Sequence, residues 1–184
     1  MACPQNPVAL ALPAFPVFTT IGLSQSGQNV YNIYMTKRVY VETSVISGMF
    51  DRDDHPARAQ PFWDAVFDGK IRVVLSDVLE DEIKQSPQHV RDFYAGIPES
   101  QIERIVSTNE SNRLAAAFVA ARIVSPKHLT DSKHVALASI ARVDALVSWN
   151  CRHIVNDNRI DIYNDLSEAL GYAKITIQTP DKVK

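Results

Sequence analysis

Cysteine is nearly absent from this chain: Cys3 and Cys151 are the two among 184 residues. Two thiols so far apart build no disulfide framework, and that usage suits a reducing cytosol. No Cys/His cluster has metal-ligand spacing, which argues against a zinc site. No Lys, Arg, Asp or Glu occurs before Lys37. The longest apolar run there, Val8 to Phe18, contains Pro13 and Pro16 and is far shorter than the roughly 20 residues that cross a bilayer. A secretory leader wants a basic stretch ahead of its apolar one, and none is present. An excess of charge of either sign is missing as well. With a net charge of −2 the chain has no bulk attraction for nucleic acid, so any such partner requires a local basic patch. A Walker-type phosphate loop, a dinucleotide fingerprint and a nucleophile-elbow serine are all missing, which removes most other classes of α/β enzyme.

What is present falls into two parts. Residues 1–36 are interrupted by Pro4, Pro7, Pro13 and Pro16, and Gly22 to Asn32 is polar. This stretch is expected to be a tail outside the fold or a flexible arm for a partner, with Met35 as a candidate true start. Residues 37–184 read as one domain, long enough to bury a real core.

From Lys37 onward strand-like and helix-like segments alternate. Val39, Tyr40 and Val41 form a short β-rich run ending at Glu42. Pro56 suits a first helical turn. Ala59, Phe62, Trp63, Val66 and Phe67 then share one helical face, and Gly69 fits the stop. Ile71 to Leu75, apolar apart from Arg72, reads as a second strand, the pattern of a strand covered on both sides. A helix is expected from Ser76 or Asp77, with further helices over about Glu99 to Ser107 and Glu110 to Val124. Thr130 is a candidate cap for a helix running to about Ala141. Ala145 to Trp149 reads as a third strand, Arg159 to Leu170 as a helix, and Ile175 to Gln178 as a last strand. Strands separated by helices imply right-handed crossovers, a mainly parallel central sheet and an α/β fold.

Ligands of such sheets bind outside the carboxyl ends of the strands, and there this chain places a row of acidic and amide residues. Glu42 ends the first strand, followed by Thr43 and Ser44, whose hydroxyls suit orienting it or holding a metal-bound water. A carboxylate at that point also serves to cap the next helix, and both uses stand. Asp77 and Glu80 have the spacing of a capping box. Glu82, one turn further on, is left over, either as a site residue or as an exposed helix glutamate. Asp131 lies in the first turn of its helix, where it matches the dipole, but it shares a face with Val135 and Ala138 and is expected to point inward. Asn150 follows the third strand. An oxygen-rich set of this kind suits a hard divalent cation such as magnesium or manganese and metal-assisted phosphoryl chemistry. His134, at i+3 from Asp131, reads as a packed and hydrogen-bonded histidine or as a donor that orients the carboxylate. His153 trails the third strand.

The segments VYVETSVISG, LSDVLEDEI, DSKHVALA and DALVSWNCRHI resemble, in order and separation, the motifs of PIN domains. The ending GYAKITIQTPDKV is similar to that of bacterial VapC-like members. The resemblance spans about Lys37 to Val183. It implies a three-layer α/β/α PIN-like fold and a magnesium- or manganese-dependent ribonuclease acting on single-stranded RNA in the cytoplasm. It also implies a type II toxin–antitoxin pair, with a homodimer silenced by a small antitoxin protein and no membrane partner. By position Glu42, Glu82 and Asp131 would be the metal-binding acids, Ser148 the hydroxyl and Asn150 the fourth position. Two departures stand out. Glu42 replaces the family's usual Asp, which moves the carboxylate by one methylene. Asn150 replaces the usual last Asp, which keeps an acceptor and loses a charge, so one metal suits the site better than two. Asp144, at the other end of that short strand, reads as a loop or cap residue too distant to substitute. Lys84, Lys133 and Arg152 lie near the motifs and are candidates for phosphate contacts, each also readable as a solvated surface cation. The opposing expectation is a PIN-like module that has lost catalysis and acts in RNA or protein binding.

Overall fold

A computed structural model of the protein describes residues 36–183. The expectations for residues 1–35 lie outside the described residues. Five strands run in the order β1 (Lys37–Val41), β2 (Ile71–Ser76), β3 (Ile102–Ile105), β4 (Ala145–Val147) and β5 (Thr176–Gln178). Seven α-helices accompany them among the described residues: α1 (Thr43–Ser47), α2 (His55–Phe67), α3 (Asp77–Gln85), α4 (Gln88–Ala95), α5 (Asn109–Ala120), α6 (Leu129–Ala141) and α7 (Asp157–Ala169). None of these helices is long and apolar enough to cross a membrane. All the strand pairs are parallel, and the sheet order is β3-β2-β1-β4-β5. The protein is an α/β chain in three layers, α/β/α.

The layering follows from the side-chain period of two in the strands. Val39, Val41, Val73, Leu75, Ala145 and Val147 face one way and pack on Val45, Phe62, Trp63, Leu79 and Val90 of α1 to α4. Tyr40, Val74, Leu146 and Ile177 face the other way and pack on Leu114, Phe118, Val135, Ala138 and Tyr163 of α5 to α7. The register aligns Val74, Tyr40, Leu146 and Ile177 across four strands. The central strands are therefore covered on both sides, which is why they read as mainly apolar, Lys37 and Arg38 of β1 and Arg72 of β2 excepted. Burying each such side chain contributes about 1.5–3 kcal/mol, so both faces stabilise the sheet. At Gly69 the chain leaves α2 with φ +75°. Gly69 N–H reaches Val66 C=O at 3.0 Å and Lys70 N–H reaches Ala65 C=O at 2.8 Å, a glycine-terminated helix end that a Cβ would strain.

Four local expectations are corrected. Glu99 to Ser107 is not a helix. It is a 3-10 turn, Glu99–Gln101, followed by edge strand β3, because Ile102 to Ile105 pair with Val73 to Ser76 of β2. Helix α4 arises where the sequence predicts no element. Its Val90, with Phe93 and Tyr94, packs into the first core. The N-cap of α3 is Ser76, whose Oγ accepts from Leu79 N–H at 3.3 Å. Asp77 instead holds the chain after β3, accepting from Ser107 N–H at 3.0 Å and Ser107 Oγ–H at 2.8 Å. Thr130 lies inside α6, whose N-cap is His128 without a side-chain cap bond.

Candidate metal centre at the switch point of the sheet

The crossovers from β1 and β4 go to opposite faces, so a notch opens at the carboxyl ends of these two neighbouring strands, where ligands of open α/β sheets bind. Glu42 sits on one lip, its backbone N–H bonded to Val147 C=O at 3.1 Å. Ser148 sits on the other, its N–H bonded to Gln178 C=O at 3.2 Å.

Glu42 is only 7% exposed, yet among the described residues it meets no cation. Its Oε2 accepts from the Ser148 hydroxyl at 2.6 Å and from the Ser44 hydroxyl. Those hydroxyls are themselves held, Ser44 Oγ by Trp149 N–H and Ser148 Oγ by Asn150 N–H, both at 2.9 Å. Although Glu42 is the N-cap residue of α1, its side chain makes no cap bond. The carboxylate faces the notch instead of serving the helix.

Glu82 reaches the notch from α3. Its Oε2 accepts from the Thr43 hydroxyl and from His134 Nε2 at 3.2 Å. Behind it runs a buried chain: His134 Nδ1 to Tyr40 OH at 2.8 Å, and Tyr40 OH to Ser76 Oγ at 2.7 Å. An ionised carboxylate only accepts, so His134 donates from Nε2; the tautomer with Nδ1 bare accepts there from Tyr40, whose oxygen then takes the Ser76 hydroxyl. Burial pushes the Tyr40 phenol far up, which keeps it a donor. Burial alone would raise Glu82, but the hydrogen bonds from His134 and Thr43 and the attraction of His134 outweigh it and hold its carboxyl below the usual range. Donor atoms of Glu42, Glu82 and His134 lie within 4.8 Å of one another.

Asp131, in the first turn of α6, adjoins this group. Its Oδ1 accepts from Asn150 Nδ2 at 3.1 Å, and its Oδ2 lies 3.3 Å from His128 Nδ1. Burial and the negative charge of Glu42 raise its pKa, only partly offset by His128, His134 and Asn150. Its tight cluster is with His128 and His153, again within 4.8 Å. The imidazoles of His128 and His153 stack at 3.8 Å between centroids.

The structure thus brings Glu42 and Glu82 together, ties Ser148 to Glu42 and Asn150 to Asp131, and puts Asp131 within reach of the Glu42 charge but in a neighbouring cluster. His134 is packed and hydrogen-bonded, and the carboxylate it orients is Glu82, not Asp131. Asp144 accepts from Arg38 N–H at 2.8 Å, far from the notch at the amino end of β1. Other contributors are not evident from sequence. Tyr40 looks like an ordinary core residue. Thr43, expected to serve Glu42, serves Glu82. His128 lies at i−3 from Asp131, so the helical spacing that draws attention to His134 is a usable signal for it too. His153 joins His128 from 25 positions away, a separation that shows no ligand spacing.

No protein-family model and no curated protein matches the chain. Among solved structures, the crystal structure of tyrosyl-tRNA synthetase from Archaeoglobus fulgidus complexed with L-tyrosine resembles it at 15% identity and a TM-score of 0.41, over 78% of this chain and 54% of that one. The chain spans about half the length of that structure, and a likeness so distant carries no functional argument.

Proposed function

We propose that the chain is a magnesium- or manganese-dependent ribonuclease of the PIN-like, VapC-like kind, cleaving phosphodiesters in single-stranded RNA. On this reading it acts in the cytoplasm as the toxin of a type II toxin–antitoxin pair, as a homodimer silenced by a small antitoxin. The observation that carries the proposal is the approach of the Glu42 and Glu82 carboxylates to within 4.8 Å of each other at the switch point of the sheet.

The donor set fits a hard cation. Oε2 of Glu42 and Oε2 of Glu82 are each fixed by two donors, while neither Oε1 takes a hydrogen bond among the described residues. Glu42 and Glu82 would hold the ion, with Asp131 binding it directly or through water. When bound, such an ion lowers the pKa of water and neutralises charge on phosphate oxygens. The remaining tasks fall to the chain. Ser44 and Ser148 aim Glu42, and Thr43 and His134 aim Glu82. The Asn150 amide holds Asp131 in place. The burial and the Glu42 charge that raise the Asp131 pKa in the metal-free protein are what a bound cation would offset.

A second reading, a weakened module acting in binding, draws on one observation: both oxygens of Asp131 are already engaged, by Asn150 and His128. Calorimetric titration with magnesium and manganese separates the two. The nuclease reading expects a saturable isotherm that Glu82→Gln abolishes, accompanied by cleavage of single-stranded RNA. No heat at millimolar metal, with no cleavage, removes it.

A further inference from the structure

One group of charges is not absorbed by the metal centre. Across the described residues many cations are answered by carboxylates: Arg38 by Glu103, Arg58 by Asp181, Arg104 by Glu99 and Lys174 by Glu168. Around the stacked pair His128 and His153 the balance is reversed. Lys127 and Arg152 are exposed and Arg159 is half-buried, and none of the three pairs with a carboxylate among the described residues. Arg159 donates from Nη1 to His153 Nδ1 at 2.7 Å. His153 is depressed by its burial and by the nearby positive charges of His128, Arg159, Arg152 and Lys127. Asp157, exposed in the first turn of α7, joins none of them in an ion pair.

This cluster touches the metal centre at two points. Asn150 Oδ1 accepts from His153 N–H at 3.0 Å while Asn150 Nδ2 holds Asp131, and His128 approaches Asp131 at 3.3 Å. The same three residues, His128, Asp131 and His153, could be taken for a second metal site. The surroundings oppose that use. Arg159 already occupies Nδ1 of His153, and three permanent positive charges repel a further cation. They attract an anion instead. A flat imidazole stack set among guanidinium groups supplies stacking and phosphate contacts together, the combination used to hold single-stranded nucleic acid.

We infer that Lys127, His128, Arg152, His153 and Arg159 form a subsite for single-stranded RNA, which grips the phosphates of the strand beside Asp131 and Asn150. The inference rests on the nuclease reading only in assigning the scissile bond to the neighbouring notch. It also answers the charge problem of the chain as a whole: with a net charge of −2, attraction to a polyanion has to be local.

The test is binding without catalysis. A fluorescein-labelled single-stranded RNA oligonucleotide of mixed sequence is titrated by anisotropy in EDTA over a series of salt concentrations. The double variant R152A/R159A is expected to raise Kd about tenfold near ~0.1 M salt. It should also flatten the slope of log K against log salt by about 1.4, at roughly 0.7 for each phosphate the variant no longer neutralises. Arg159→Lys should largely keep the affinity. Arg113→Ala, which removes an exposed cation on α5, should change nothing. An unchanged Kd and slope in the double variant would overturn the subsite, as would equal weakening by Arg113→Ala. So would absence of RNA binding by the wild type, or binding of a polyglutamate peptide in its place. Cleavage is scored separately with magnesium. RNA held through these residues but never cut retires the nuclease and leaves the subsite standing, whereas cleavage with affinity indifferent to the double variant does the reverse.

Discussion

The carboxylates at the two ends of β1 are treated in opposite ways. At the amino end Arg38 grips Glu103 with two nitrogens, at 2.9 and 2.6 Å, and its Nη1 donates to Ala141 C=O at 3.1 Å. The Arg38 hydrogen bond holds the Glu103 carboxyl below its usual range. At the carboxyl end Glu42, Glu82 and Asp131 meet hydroxyls, imidazoles and an amide, and no lysine or arginine among the described residues. The first arrangement neutralises charge inside the chain and serves the fold. The second orients charge and sets no permanent cation against it, the condition a site needs if it is to attract a cation from outside. Direction of charge, more than the number of acids, separates the two ends.

The largest effect expected from breaking this contrast is on catalysis. Asp131→Asn should lower magnesium-dependent RNA cleavage by about a hundredfold or more, measured on a labelled oligonucleotide. Its melting temperature should be unchanged or higher, since ionised Asp131 is held against burial and the Glu42 charge. Cleavage at the wild-type rate would take this residue out of the mechanism. Next comes Tyr40→Phe, which strands His134 Nδ1 and Ser76 in the core and should cost about 1–3 kcal/mol in denaturant unfolding. Because the same chain aims Glu82, cation affinity should fall as well, by about tenfold. Arg38→Ala offers the counterpart at the other end. Arg38 and Glu103 are about a third exposed, so screening limits the cost to roughly 1 kcal/mol or less. Cation affinity should stay as in the wild type, and a parallel loss would erase the distinction between the ends.

The smallest effect is on the pH dependence of stability. The folded-state pKa of Glu82 is depressed, so its contribution is present above the ordinary glutamate value of about 4.3 and is lost as pH falls through the folded pKa. Asp131 has the opposite sign. Its folded pKa is raised, so stability is greatest below the ordinary aspartate value of about 3.9 and declines as pH rises through the folded pKa. Glu82→Gln should therefore flatten the loss of stability in acid, and Asp131→Asn should steepen it. Melting curves over the acid range decide the point, and identical slopes in both variants would contradict the assignment.

The parallel sheet and its layers are legible in the sequence because Ile71 to Leu75 and Ala145 to Trp149 are apolar but for Arg72 and Ser148 and are bounded by helical periods. Strand β3 is not, because its sequence, Ile102-Glu103-Arg104-Ile105, carries charge at its centre. An edge strand tolerates that, and here pairing with β2 decides the matter against local preference. Helix α4 escapes notice because Val90 is its one fully buried residue, too little to raise a periodic signal. In the site, Glu42 and Glu82 can be ranked from their positions after strands. The partners of each carboxylate cannot, because Thr43 reaches across to α3 and His134 reaches back to it over 52 positions, through contacts only the folded sheet creates.

The strand order has a consequence for how such a chain changes over time. The cleft between β1 and β4 is made by backbone routing, since one connection departs upward and the other downward, and no acidic side chain is needed to hold it open. Replacing an aspartate by a glutamate, or an acid by an amide, therefore alters the reactivity of the hollow without collapsing it. Single substitutions at its lips thus change which charges line the hollow while the frame stays as it is.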